Sequence, residues 1–328
     1  MKTLTISINK GGVGKTTLVS QLGRYAHQLG LKTLLIDLDD QGNLTRSLER
    51  KGEATRLKRT VTEILFEPIS GIDLGYEDFS VLAADGGLTK AVVETSQLKT
   101  THQGVERERA TIAHQHFAEF LKRVSPHYDL CLIDGPPALD IRVMMALALS
   151  DYALCPIQLA QESIEGMSHT LNGPRGILRI KGTVNNTLEF LGFLPDMVES
   201  TTRQKDALLE LGDKLGHHFL RDEEGRVLLI PLRQSIRDAQ GQGISLAQLA
   251  RSNSQARDTW SKVRRTFDQL LDRMGLRERI SELLAEKLEA QRLEKSQQRL
   301  ARICEPDAVL RDDLAVMDEV VREGVSHV

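Results

Sequence analysis

Three features of the sequence predict an α/β fold: a mainly parallel, doubly wound sheet with helices on both faces, plus a helical extension at the C-terminal end. Short β-branched or leucine-rich runs alternate with helical patterns, the order that a parallel sheet with crossover helices produces. A glycine-rich segment at residues 9–17 lies between the first such run and the first helical pattern. Pro136-Pro137 breaks the chain two residues after Asp134, the carboxylate that follows a later apolar run.

The strand candidates are residues 3–8, 33–36, 80–83, 130–133, 153–157 and 188–194. Between the first two, residues 16–29 fit a helix with Leu18, Leu22, Tyr25, Ala26 and Leu29 on one stripe and Gly30 as its stop. A βαβ unit therefore opens the chain. The paired prolines force an extended turn before an apolar helix at 141–149. In open α/β sheets the strand ends face the ligand crevice, which draws attention to the carboxylates there. Trp260, Val263, Phe267 and Leu270 form the buried stripe of a later helix. The core pattern thins after residue 273. Residues 276–303 then place Leu276, Ile280, Leu284, Leu288, Leu293 and Leu300 roughly at helical spacing, and Leu310, Leu314, Met317 and Val321 suggest one more amphipathic helix. The expected division is a domain of 1–273 and a helical extension of 274–328. The leucine stripe of the extension does not hold a seven-residue register, so packing is expected of it rather than a coiled coil.

At 328 residues the chain has room for one large α/β domain or two smaller ones. With 40% apolar and 27% charged residues it has an ordinary globular composition. No window approaches the roughly 18 apolar residues of a membrane helix. Residues 1–6 lead straight into the glycine motif, so no secretion signal is expected and the cytoplasm is the expected compartment. Cys131, Cys155 and Cys304 are widely spaced without a C-x-x-C pair, which argues against a disulfide framework or a cysteine-held metal cluster. The net charge of −3 hides local asymmetry. Residues 42–60 carry six Lys/Arg against Glu49 and Glu53, and residues 251–279 carry eight against four acids. A polyanionic partner therefore stays open.

The segment Asn9-Lys10-Gly11-Gly12-Val13-Gly14-Lys15-Thr16-Thr17 carries the most chemistry. Backbone N–H groups crowd around a phosphate only where glycines remove side chains, and a helix start adds its positive end. Lys15 supplies charge for the outer phosphates and Thr16 a hydroxyl for Mg²⁺. Asn9 stands where the common phosphate-loop form has its first glycine, while Lys10 adds a second lysine. Nucleotide binding is the expectation.

These residues resemble the ParA/MinD group of deviant Walker A ATPases, whose K-G-G-x-G-K-[ST]-[ST] signature reads here as Lys10 to Thr17. Two more stretches follow in the order of that group. Asp37-Leu38-Asp39-Asp40-Gln41-Gly42-Asn43 resembles its D-x-D-P-Q-G-N switch, and Ile133-Asp134-Gly135-Pro136-Pro137 its Walker B turn. Pro156-Ile157-Gln158 and Glu165-Gly166 extend the likeness, which spans roughly residues 1–250. The resemblance implies an ATPase with ATP and Mg²⁺ as cofactors. It places Gly11, Gly12, Val13, Gly14, Lys15, Thr16 and Thr17 around the phosphates, Pro231 beside the adenine, and Thr16, Asp37 and Asp134 around the metal. Phosphoryl transfer to water needs a phosphate clamp, Mg²⁺ and an oriented water rather than a covalent nucleophile. The resemblance gives Asp39 the water. From the residues alone, Asp134 also fits a turn cap, and Asp37 and Asp39 fit mere strand ends. Lys10 corresponds to the signature lysine that reaches the nucleotide of the opposite subunit in an ATP-dependent homodimer. Asp40 replaces the usual proline, which frees φ and is expected to add negative charge near the phosphates.

Members of such a family carry different cargoes on one core, so peripheral features must select among them. A MinD-like membrane switch would end in a basic amphipathic helix, whereas residues 318–328 here are acidic in character. A cluster-binding relative needs cysteines that are absent. A tyrosine-kinase relative would have a tyrosine-rich tail, yet Tyr25, Tyr76, Tyr128 and Tyr152 all precede residue 153. A ParA-like partition ATPase remains, with non-specific DNA and a ParB-like activator as partners, nucleoid association, and segregation of a plasmid, chromosome or integrated element. ATPase-driven positioning of a protein cargo is the alternative. Arg203, Lys205, Arg233 and Arg237 are the candidate DNA contacts, since distributed Lys/Arg suffices when no sequence is read. Acidic side chains are mixed among them, so a solvated surface is the competing reading. No helix-turn-helix is expected ahead of the first strand.

Overall fold

The computed structural model describes residues 1–304 apart from 9, 69–70, 72, 90–102, 139, 160–162 and 174. The stripe expected at Leu310, Leu314, Met317 and Val321 lies outside the described residues. Two compact units divide the chain, Met1–Ile280 and Ser281–Val328.

The first unit is built on β1 (Lys2–Ile6), β2 (Thr33–Asp37), β3 (Thr55–Thr60), β4 (Phe79–Ala83), β5 (Leu130–Asp134), β6 (Tyr152–Ile157) and β7 (Glu189–Pro195). They form one sheet in the order β3-β4-β2-β5-β1-β6-β7, and every pairing is parallel. β5 is flanked by β2 and β1, with Asp134 in register with both Asp37 and Ile6. The three strand ends that carry the phosphate loop, the switch and Asp134 are thereby level and adjacent.

Helices cover the sheet because the strands are apolar on both sides. α1 (Lys15–Gln28) follows β1, α2 (Asn43–Glu49) follows β2, and α3 (Val61–Phe66) follows β3. α4 (Gln103–Val124) leads to β5, and α5 (Ile141–Leu149) follows it. α3 and α4 pack with β2, β4 and β5 in one core cluster centred on Leu34, Ile36, Phe117 and Phe120. α5, α6 (Ser163–Asn172) and α7 (Ile177–Thr183) pack with β6 and β7 in another. α1 lies tightly on β2, since a Cβ on Gly23 would meet Leu35 Cδ2 at 2.7 Å.

The chain continues through α8 (Thr202–Leu215), α9 (Gln234–Gln242), α10 (Leu246–Leu249) and α11 (Ser254–Arg273). α11 buries Val263, Phe267 and Leu270 as its sequence pattern predicts, whereas Trp260 of the same stripe is only half-buried. It holds α1 through Tyr25, whose ring is 5.0 Å from Trp260 and 6.0 Å from Phe267. α12 (Arg277–Cys304) begins in the first unit and supplies the described residues of the second. There Leu284, Leu288 and Leu293 are exposed.

Two expectations need correction. β3, with the sequence Thr-Arg-Leu-Lys-Arg-Thr, has no apolar alternation and went unpredicted. It is an edge strand in which only Leu57 is buried, and charged side chains on such an edge discourage pairing with a foreign strand. Its basic residues also face local acids rather than an open surface. Arg56 lies 3.7 Å from Glu49, Lys58 pairs with Asp73, and Arg59 reaches Glu63 at 2.8 Å and Glu67 at 3.1 Å. Much of the positive charge read from residues 42–60 is therefore compensated within the fold.

Candidate nucleotide site

The phosphate loop bends where its glycines allow it. Gly12 and Gly14 have φ of 72° and 87°, in the left-handed region that side chains disfavour. Gly14 is also the N-cap of α1 and provides no side-chain cap, so the first-turn N–H donors stay available to an anion. Space reinforces the choice, because a Cβ on Gly14 would meet Asp196 Oδ2 at 2.1 Å. Lys15 is buried, and its Nζ donates to the Lys10 carbonyl at 2.9 Å. Burial lowers its pKa, while the charges of Asp134 and Asp39 oppose that shift. Gln158 Nε2 closes the loop from β6 by donating to Gly12 O at 3.0 Å.

Beside the loop, Thr16 Oγ1 donates to Asp134 Oδ2 at 2.7 Å. The other oxygen, Asp134 Oδ1, is buried without a hydrogen-bond partner. Burial and the neighbouring Asp37 push this carboxyl up to about 8. Asp37 is wholly buried and is raised to about 6, again chiefly by burial. Its oxygens are engaged: Oδ2 accepts from Thr45 N at 2.9 Å and Thr45 Oγ1 at 2.8 Å, and Oδ1 accepts from Asp39 N at 3.3 Å. Asp37 thus fixes the start of α2 to the end of β2. A hydroxyl and an orphaned carboxylate oxygen form a donor set that suits Mg²⁺, which needs few protein oxygens when phosphates and waters complete its shell. Asp37, expected as a ligand, has both oxygens committed and adds only charge behind them.

The switch begins where Leu38 N donates to Asp134 O at 3.0 Å. Asp39 follows, half-buried, with Oδ1 accepting from Gln41 N at 3.1 Å. Burial raises its pKa, and the charge of Asp40 adds to the effect. Gly42 turns the chain into α2 with φ 59°.

Lys15, Thr16, Thr17 and Asp39 line one cleft of about 660 Å³, together with Gly11, Gly12, Val13 and Gly14. Asn43, Arg46 and Arg50 of the α2 region and Arg237 and Gln240 of α9 form its outer wall. Thr17 Oγ1 ties the two sides by donating to Gln240 Oε1 at 2.7 Å. Pro231 sits in an adjoining small pocket with Gly14, Thr17, Asp196 and Met197. It is brought there because Ile230 N donates to Pro195 O at 2.8 Å and Leu232 N to Val198 O at 2.9 Å, extending the end of β7. Lys10 is half-buried and does not line the cleft.

The four candidate DNA contacts are all exposed but fall into two groups. Arg203 and Lys205 stand in the first turn of α8, outside both cavities. Arg233 and Arg237 border the pocket that holds Pro231. Asp40 corrects an expectation, since it lines neither cavity. Its carboxylate accepts from Thr89 and lies 3.7 Å from Arg142 Nη1, contacts that hold its pKa low, the Thr89 bond foremost. Sequence reasoning missed Arg142, Gln240 and Asp196, because each meets the site through a tertiary contact that local spacing does not announce.

A family model described as an AAA domain matches residues 1–190. The chain is 29% identical over 251 residues to the chromosome-partitioning ATPase Soj of Thermus thermophilus, covering 76% of this chain and 89% of that one. It is 32% identical over 205 residues to the sporulation initiation inhibitor protein Soj of Bacillus subtilis, covering 61% and 74% respectively. Among solved structures, cobyrinic acid a,c-diamide synthase from Mycobacterium smegmatis with bound ADP and magnesium is similar, with TM-score 0.56 and 25% identity, covering 74% of this chain and 91% of that one.

Proposed function

Because the chain belongs to the ParA/MinD family of P-loop ATPases, we propose that it is an Mg²⁺-dependent ATPase that segregates a DNA element. ATP binding drives homodimerisation, the dimer binds DNA without sequence preference, and a ParB-like partner stimulates hydrolysis and release. The protein works in the cytoplasm on the nucleoid. Residues 1–273 form the ATPase domain, and 274–328 a helical extension.

The observation that carries the reading is the bond from Thr16 Oγ1 to Asp134 Oδ2, with Asp39 and Lys15 on the same cleft. Gly11 to Thr17 hold the phosphates, and Pro231 flanks the adenine. Thr16 and Asp134 hold the metal, and Asp37 contributes charge behind them, its oxygens being committed to Thr45 and Asp39. When bound, Mg²⁺ neutralises charge building on the β- and γ-phosphates. Lys15 clamps the same phosphates from the loop. Asp39 orients the water that attacks the γ-phosphorus, giving ADP and inorganic phosphate. Lys10 completes the site of the opposite subunit, a role supported by its place outside its own cleft. Arg203 and Lys205, with Arg233 and Arg237, neutralise DNA phosphates.

The test is binding to an unrelated DNA duplex without nucleotide, with ADP and with a slowly hydrolysed ATP analogue, across a salt series. Analogue-dependent, salt-sensitive binding that Lys15→Ala and Arg203→Glu both abolish is expected. No binding in any state, with ATP affinity intact, overturns the DNA reading and leaves positioning of a protein cargo.

A further inference from the structure

Asp39 is flanked by two residues that one buried side chain holds. Arg142, 7% exposed, lies in the first turn of α5. Its Nη1 donates to Leu38 O at 3.2 Å and lies 3.7 Å from Asp40 Oδ1. Its Nε and Nη2 are fixed at 2.9 and 2.5 Å by Asp140 Oδ2. Asp140 is itself anchored as the N-cap of α5, where it accepts from Arg142 N at 2.9 Å. Thr89 restrains Asp40 from the other side. A planar guanidinium with both edges engaged is a rigid brace, unlike a lysine on a flexible stem.

We propose that Arg142 is a positioning residue for hydrolysis: by gripping Leu38 O and the Asp40 carboxylate it fixes Asp39 at the cleft without touching the nucleotide. The proposal rests on the reading of Asp39 as the residue that orients water. A carboxylate that aligns an attacking water loses effectiveness with displacements of about 1 Å, which can cost on the order of 100-fold in rate. α5 follows the Asp134 loop directly, so Arg142 also links the strand end that holds the metal to the switch that holds the water. Asp40 has a defined task here, because it provides the charge that completes the grip of Arg142 on the switch.

Steady-state ATP hydrolysis by the full chain tests this with Arg142→Met, Arg142→Lys, Asp40→Asn, Asp39→Asn and the Arg142→Met/Asp39→Asn double variant. Thermal melts and ATP affinity are measured alongside. Arg142→Met is expected to lower kcat about 10-fold or more while KM changes less than about threefold, the pattern of a lost transition-state contribution. Arg142→Lys is expected to recover part of that loss, and Asp40→Asn, which leaves the contacts to Leu38 and Asp140 in place, to lose about threefold. The double variant is expected to hydrolyse no more slowly than Asp39→Asn alone, since a brace has nothing left to position. If the Arg142→Met and Asp39→Asn losses multiply, or KM rises with kcat unchanged, the brace is overturned while the role of Asp39 stands. If Asp39→Asn leaves kcat intact, the role of Asp39 falls and the brace with it. Should Arg142→Met fail to fold, Asp40→Asn and Arg142→Lys decide by the same kcat-against-KM criterion.

Discussion

Thr16 Oγ1 donates a 2.7 Å hydrogen bond to Asp134 Oδ2, joining the first turn of α1 to the end of β5. The contact commits one carboxylate oxygen and leaves Oδ1 buried with no partner. An unpaired buried acceptor is costly, and a cation on that oxygen would relieve the cost. Asp134→Asn is therefore expected to remove the Mg²⁺-dependent part of the thermal stabilisation by ATP. The part seen with ATP and a chelator should persist. Melts with and without Mg²⁺ check this, and an unchanged Mg²⁺ increment in the variant would exclude Asp134 from the metal site.

Asp196 lies against Gly14, and burial raises its pKa to about 7 from an ordinary 3.8. An acid that titrates near 3.8 unfolded and near 7 folded loses its proton first in the unfolded chain. Stability therefore falls as pH rises between those values and stays reduced above them. Asp196→Asn lacks this titration while keeping an oxygen for Met197 N, which donates to Asp196 Oδ1 at 2.7 Å. The variant is expected to match wild type near pH 4 and to exceed it at pH 8 by no more than about 4 kcal/mol. Denaturant midpoints at both pH values check the sign. A variant less stable at pH 8 would mean that the carboxylate is held charged by a favourable partner.

The phosphate loop, the switch and the Asp134 turn were legible because each is a contiguous segment whose residue types state its chemistry. Their convergence was legible too, once alternating strands and helices implied that three strand ends share one edge. β3 was not, because an edge strand needs only one buried side chain, Leu57, and its charged positions break the alternation. The environment of Asp40 was misread for a related reason. Its charge is met by Arg142, 102 positions away in the chain, and no local pattern reports such a pair. Arg142, Gln240 and Asp196 belong to the same class: side chains far along the sequence whose importance exists only after the sheet has assembled.

Arg203 and Arg237 separate two ways in which a basic residue affects DNA binding. Arg203 is exposed in the first turn of α8 and outside the cleft, whereas Arg237 lines the cleft that carries the phosphate loop. Arg203→Glu is expected to weaken binding of the analogue-bound dimer to DNA, lower its salt slope by about one to two, and leave ATP affinity within about twofold. Arg237→Glu is expected to reduce ATP affinity as well. Titrations of both ligands with both variants check the split. Equal loss of nucleotide affinity in the two variants would place Arg203 in the nucleotide machinery.

Lys10 and Lys15 lie five positions apart and have opposite surroundings. Lys15 is buried and lines the cleft, with its ammonium on the Lys10 carbonyl. Removing it takes away both the proposed clamp on the outer phosphates and the bond to the Lys10 carbonyl, so Lys15→Ala is expected to abolish ATP binding. The Lys10 side chain lies outside the cleft walls and contributes to the loop through its carbonyl, which alanine retains. Lys10→Ala is therefore expected to keep ATP affinity within about threefold while losing the charge that the proposed function assigns to a second subunit. In that proposed role the charge acts on the phosphates across an interface, as an arginine finger does, so its loss is expected to fall on dimerisation and on turnover. Sedimentation with the ATP analogue should show wild type as a dimer and Lys10→Ala as a monomer at a concentration where both are saturated. Hydrolysis by the variant should fall at least about 10-fold, since the transition state loses a cation that only the assembled pair provides. A Lys10→Ala protein that dimerises with the analogue as well as wild type would remove this lysine from the interface and confine it to the fold of its own loop.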